Sequence, residues 1–176
     1  MKKTITVFGS SRPKRGEEKY ETAFKLGKLL AENNFNVCTG GYYGIMEAVS
    51  KGASGNGVEI IGITVKDWNK SANQFLTKEL KCDTLFERIT KLIEIGDAFI
   101  ILEGGTGTLL ELSAVWELAN KDLMNLKPVA CHSSMWQGIV SIMNLQMEKE
   151  GRSTNLVKTF ESIEELVNKI KDQLSM

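Results

Sequence analysis

Short apolar runs alternate along this chain with longer stretches whose apolar residues recur at helical spacing. Residues 5–8 read as a strand ending in Gly9-Ser10-Ser11, and from about 17 to 33 Tyr20, Phe24, Leu26, Leu29 and Leu30 mark one face of a helix. Residues 35–39 are a second strand closed by Gly40-Gly41. Ile45, Met46, Ala48 and Val49 then open a helix that Gly52 and Gly55 end. Residues 58–63 are a third strand, and 66–83 lack periodicity and form a long excursion, a length often tied to function. A helix is predicted over 84–95, a fourth strand over 98–102, and a helix to about 121. Then come a fifth strand over 127–131, a helix over 134–149, a sixth strand over 156–159 and a last helix from Ser162. Ser162-x-x-Glu165 and Thr84-x-x-Glu87 both carry helix-start signatures.

Strand–helix alternation over the whole length predicts an α/β fold: one Rossmann-like domain, residues 1–176, with a doubly wound parallel sheet and helices on both faces. Such sheets bind ligands beyond the carboxyl ends of their strands, where the strand order reverses. With a Rossmann-like order the reversal falls between the first and fourth predicted strands. Three small, donor-rich loops then converge there: Gly9-Ser10-Ser11, Gly40-Gly41-Tyr42-Tyr43-Gly44 and Gly104-Gly105-Thr106-Gly107-Thr108.

Composition narrows the partners. Lys plus Arg equal Asp plus Glu at 22 each in 176 residues, so no global field draws in a nucleic acid or an anionic membrane. The local cluster Arg12, Lys14, Arg15 reads as a surface loop. Cys38, Cys82 and Cys131 are odd in number and far apart, which suits reduced thiols and neither disulfides nor a metal site. No run reaches transmembrane length, and the chain enters its first strand without an apolar leader, so a cytoplasmic protein is expected.

The 103–111 stretch carries the chemistry. Its glycines and threonines open a helix directly after a strand and offer N–H and hydroxyl donors to a phosphate. Neither this loop nor the first has the Gly-Lys-Ser/Thr of a nucleoside-triphosphate loop or the G-x-G-x-x-G dinucleotide fingerprint. Glu111 leans back toward the helix N-terminus and so toward the crevice, although Thr108-x-x-Glu111 also fits a capping box. Arg88, early in the helix before the fourth strand, starts from the same edge of the sheet and suits phosphate, ribose hydroxyls or the Glu111 carboxylate; the plain alternative is a solvated surface arginine. His132 is a lone histidine read as a loop residue. Trp68, Trp116 and Trp136 read as core or interface anchors, and Met46, Met124, Met135, Met143 and Met147 as core filler.

Taken together, these residues resemble the LOG (LONELY GUY) family, often mislabelled as possible lysine decarboxylases. The family signature P-G-G-x-G-T-x-x-E matches Gly104 to Glu111, and its upstream arginine matches Glu87-Arg88, nine residues before Asp97-Ala98-Phe99. Ser10-Ser11 and the Gly-Gly-x-x-Gly-x-Met run at 40–46 are similar to family features. The resemblance implies a Rossmann-like homodimer or higher homo-oligomer acting on a nucleoside 5′-monophosphate such as AMP, with no metal or organic cofactor. The implied reaction hydrolyses the N-glycosidic bond to free base and ribose 5-phosphate, possible substrates including cytokinin riboside monophosphates. Arg88 and Glu111 would be its catalytic pair. Ser10, Ser11, Gly40, Gly41, Gly44, Gly104, Gly105, Thr106, Gly107 and Thr108 would hold the nucleotide.

The match departs from the family in three places. Glu103 stands where the family has proline, and its carboxylate is expected beside the phosphate site, where like charge weakens binding. Phe86 and Ile89 replace a flanking His and Lys. The 40–48 run is similar to a sister branch that includes molybdenum-cofactor carrier proteins, so a carrier or nucleotide-binding module without turnover is the main alternative. Single-stranded DNA binding is a third reading, opposed by the neutral charge balance.

Overall fold

The computed structural model describes residues 1–175. Seven strands and six helices alternate, except that β4 follows β3 with no helix between them: β1 (Thr4–Phe8), α1 (Glu18–Glu32), β2 (Asn36–Thr39), α2 (Ile45–Ala53), β3 (Ile60–Val65), β4 (Lys78–Cys82), α3 (Leu85–Ile95), β5 (Ala98–Ile101), α4 (Thr106–Asn120), β6 (Val129–His132), α5 (Ser134–Lys149), β7 (Val157–Phe160) and α6 (Ile163–Ser175). All strand pairs are parallel, in the order β4-β3-β2-β1-β5-β6-β7. The α/β Rossmann-like fold predicted from the alternation is the one observed. The order reverses between β1 and β5, where Ile5 pairs with Ala98 and Phe8 with Ile101, so the crevice of a doubly wound sheet opens there.

The two faces have separate cores. On one, Ile5, Val7, Val37 and Ile100 meet Leu26 and Leu30 of α1, Val49 of α2 and Leu166 of α6. On the other, Phe8, Cys38, Ile63 and Phe99 meet Leu92 of α3, Val115 of α4 and Trp136 of α5. Alternate residues of a strand face opposite sides, so central strands covered twice are mostly apolar, and a buried polar group among them needs a partner, as Thr6 Oγ1 has in the Leu92 carbonyl at 3.0 Å. β1, β3 and β5 are such strands, buried along their full length.

β4 corrects the reading of 66–83 as an excursion without regular structure. Its sequence, Lys-Glu-Leu-Lys-Cys, turns only Leu80 and Cys82 to the α3 side and leaves the charged residues outward. An edge strand covered on one face carries this pattern, and its lysines discourage pairing with another sheet.

Two of the predicted helix starts form as expected. Thr84 Oγ1 accepts from the Glu87 N–H at 3.1 Å, and Ser162 Oγ from the Glu165 N–H at 3.1 Å. The third does not form. α4 begins two residues before Thr108, with Gly105 as its N-cap and the Gly105 carbonyl taking the Leu109 N–H at 3.0 Å, so Glu111 is too deep in the helix to cap it. Met46 and Met147 are buried as expected, but Met135 and Met143 are exposed on α5. His132 ends β6, with Nδ1 3.1 Å from the Phe160 carbonyl.

Candidate functional site

Above the β1/β5 reversal lies a cavity of about 350 Å³. Ser10, Ser11 and Arg12 after β1, Gly40 and Tyr42 after β2, Trp68 and Lys70 after β3, and Gly105 to Thr108 at the head of α4 all line it. Arg88 and Glu111 belong to the same lining. Of the residues singled out from sequence, Ser10, Ser11, Gly40, Arg88, Gly105, Thr106, Gly107, Thr108 and Glu111 therefore meet at one place.

Arg88 is the fourth residue of α3 and is only 5% exposed, which answers the alternative of a solvated arginine. Its Nε donates to the Ile63 carbonyl at 2.7 Å and its Nη1 to Glu111 Oε1 at 3.3 Å, while Nη2 lies 3.9 Å from Met46 Sδ. The rings of Tyr42 and Trp68 lie 5.8 and 5.6 Å from the guanidinium carbon. A guanidinium held this way by hydrogen bonds and aromatic faces keeps one orientation.

Glu111, 9% exposed, reaches back from α4 to meet that guanidinium. Burial pushes its carboxyl up from 4.5 to about 7, and the Arg88 charge and hydrogen bond act in the opposite direction. Desolvation wins because one 3.3 Å bond from a guanidinium shared with a backbone carbonyl replaces little of the lost hydration. The result is a carboxyl that exchanges protons near neutral pH.

The glycines divide by role. A Cβ on Gly40 would lie 1.7 Å from Arg88 Nη2 and 2.7 Å from Met46 Sδ, so the missing side chain is the room the guanidinium occupies. Gly44 has φ +69° and caps α2 against Ser10 and Ser11, with the Ile45 N–H donating to the Ser10 carbonyl at 2.9 Å. Gly41, Gly44 and Gly104 stand outside the cavity lining. No side chain caps α4, so the N–H groups of its first turn remain available at the cavity, together with the positive end of the helix dipole.

Glu103 forms an ion pair with Lys19 of α1; it is absent from the main cavity lining but borders the adjoining cavity that Ser10 and Arg12 also line. Its backbone carbonyl, which accepts the Ser10 N–H at 3.2 Å, ties the two loops together.

Sequence reasoning missed Lys70 and Asn73, placed Tyr42 in a converging loop without assigning it a role, and read Arg12 as a surface-loop residue and Trp68 as an anchor. Trp68 is instead 38% exposed at the cavity, stacked on Tyr42 with ring centroids 5.6 Å apart. The buried Asn73 donates through Nδ2 to the carbonyls of Gly41 (3.1 Å) and Tyr42 (3.0 Å). A tryptophan and a lysine inside an aperiodic segment were the available signal for Trp68 and Lys70. Nothing local marks Asn73.

Among the described residues no helix is long and apolar enough to cross a membrane. In sequence the chain is similar to the cytokinin riboside 5′-monophosphate phosphoribohydrolase of Rhodococcoides fascians, 28% identical over 127 residues, which are 70% of this chain and 64% of that protein. It is likewise similar to the protein of the same name from Mycobacterium tuberculosis, 31% identical over 116 residues, 64% of this chain and 62% of that one. The chain thus spans less than two thirds of the length of either relative. In fold it is similar to the molybdenum cofactor carrier protein of Chlamydomonas reinhardtii, with a TM-score of 0.80 at 18% identity over the full length of both chains. A family model described as the SLOG cluster4 family matches residues 2–167, and with the Gly104 to Glu111 motif and these relatives it establishes that the chain belongs to the SLOG cluster4 family and is of LOG type.

Proposed function

We propose that this protein is a nucleoside 5′-monophosphate phosphoribohydrolase that releases free base and ribose 5-phosphate. The observation that carries the reading is the buried Arg88–Glu111 pair beside an uncapped helix N-terminus in one cavity. The 5′-phosphate binds the N–H groups of Thr106, Gly107 and Thr108 with Ser10, Ser11 and Arg12 around it, and the ribose then lies over Glu111. Bond cleavage leaves the C1′–N electron pair on the base and positive charge on the sugar, which the Glu111 carboxylate stabilises. Water adds its oxygen to C1′, Glu111 takes the proton, and the departing base or solvent receives it. Arg88 holds the carboxylate in place. Relatives named as phosphoribohydrolases support this reading.

A carrier that binds the same class of ligand without turnover is the second reading, favoured by the Gly40 to Ala48 run and by the name of the Chlamydomonas neighbour. Incubating the protein with AMP and related monophosphates and measuring base and ribose 5-phosphate separates the two. The expected result is turnover that Glu111→Gln and Arg88→Ala each reduce by at least about a hundredfold with the fold retained. Ligand binding without product selects the carrier reading, and turnover indifferent to Glu111→Gln overturns the assignment of Glu111 to the reaction. Leu109, Leu110, Leu123, Met135, Ile142 and Leu145 are exposed on and around α4 and α5, and a second copy of the chain covering them is part of the proposal. Light scattering of the purified protein gives the oligomer size.

A further inference from the structure

Trp68 is an exposed aromatic ring held in one orientation, a combination that an ordinary surface tryptophan lacks. The indole stacks on the buried Tyr42 at an interplanar angle of 25°, the Arg88 guanidinium carbon and Lys70 Nζ lie over the ring at 5.6 and 6.0 Å from its centroid, and the residue lines the cavity while 38% exposed. The strap that carries it, residues 66–73, is fastened at both ends. At the start, the Tyr42 hydroxyl accepts the Val65 N–H at 2.8 Å. At the finish, Asn73 donates its side-chain amide to the carbonyls of Gly41 and Tyr42, and its backbone N–H to the Gly41 carbonyl at 2.9 Å. The strap and the β2 loop beneath it therefore form one unit. Ring orientation comes from the fold, so little rotamer freedom is lost when something lies against it.

The position of the ring along the sheet supplies the second argument. Trp68 follows β3, whereas the loops proposed for phosphate follow β1 and β5, and the order across the sheet is β3-β2-β1-β5. At about 4.8 Å per strand, the ends of β3 and β5 are about 14 Å apart. Arg88, bonded to β3 through Ile63, and Glu111, on the helix that follows β5, meet between them. From the α4 head to Trp68 the cavity thus offers an anion site, a carboxyl and an aromatic face in sequence. A nucleotide presents phosphate, sugar and flat base in the same sequence. Lys70 lines the same end, its Nζ 6.0 Å from the indole centroid, and supplies a donor for ring nitrogens or carbonyls of a base.

We propose that the Trp68 indole is the surface on which the nucleobase stacks, so that the 66–73 strap selects ligands bearing a flat aromatic base while the glycine loops hold the phosphate. The inference rests on the nucleotide reading above. A face of this kind tolerates every base, because each has a π-surface, and it discriminates against sugar phosphates that lack one.

The test is calorimetric titration of Glu111→Gln protein, expected to bind without turnover, with AMP and with ribose 5-phosphate. The titrations are repeated after adding Trp68→Ala or Trp68→Phe, with circular dichroism confirming the fold. Trp68→Ala is expected to weaken AMP about tenfold or more and Trp68→Phe by no more than about threefold, while ribose 5-phosphate stays within about twofold for both. Equal losses for the two ligands, or AMP affinity unchanged by Trp68→Ala, overturn the inference and leave the nucleotide reading standing. If AMP binds neither the wild type nor the Glu111→Gln protein, the nucleotide reading itself fails and takes the inference with it.

Discussion

Glu111 occupies a place that favours proton exchange at the expense of stability, and the Glu111→Gln substitution measures how far. Burial raises its carboxyl from 4.5 to about 7 in the fold despite Arg88, whereas the unfolded chain ionises it near the ordinary value. Below pH 4.5 both states carry the proton and the group has no net effect. As pH rises toward 7 the unfolded state loses that proton first, so folding is progressively disfavoured. Above 7 the full difference applies, about 3 kcal/mol at roughly 1.4 kcal/mol per pH unit. Glutamine imitates the neutral acid and still offers Oε1 to Arg88 Nη1, but it does not titrate. Urea unfolding of the two proteins should therefore give similar stabilities at pH 4.5 and a variant more stable by about 3 kcal/mol at pH 8.5, while turnover is lost. A wild type that instead gains on the variant as pH rises would mean that attraction to Arg88 outweighs desolvation, and the reasoning would be wrong.

Gly40→Ala drives a methyl to within 1.7 Å of Arg88 Nη2, so it should displace the guanidinium from Ile63 and Glu111, lower stability by about 2–4 kcal/mol in thermal unfolding, and abolish turnover. Asn73→Ala removes the hydrogen bonds to Gly41, Tyr42 and Phe75 and should cost about 2–3 kcal/mol, with hydrogen exchange accelerating over residues 66–75 before the rest of the protein.

Much of the architecture is legible because central parallel strands are buried on both faces and are therefore rich in apolar and β-branched residues. Residues such as Ile5 to Phe8 and Ala98 to Ile101 announce themselves for that reason. β4 escaped detection because an edge strand needs apolar side chains on one face only, and Leu80 and Cys82 are too few to set a visible period. The supposed capping role of Glu111 failed because a four-residue pattern does not reveal where a glycine-led helix begins.

The amino-acid order by itself determined the strand–helix alternation and the family motif that brings Arg88 and Glu111 to attention, while the reversal of strand order followed from it only once a Rossmann-like order was assumed. Those depend on local periodicity and on residue types at fixed spacing. Tertiary structure alone decided that Arg88 is buried, that Gly40 is the space it fills, that Glu103 turns to Lys19, and that Trp68 faces the cavity from a strap pinned by Asn73. Each is a contact between elements distant in sequence. Its energy depends on burial and on the approach of a partner, and neither quantity exists until the sheet has been assembled.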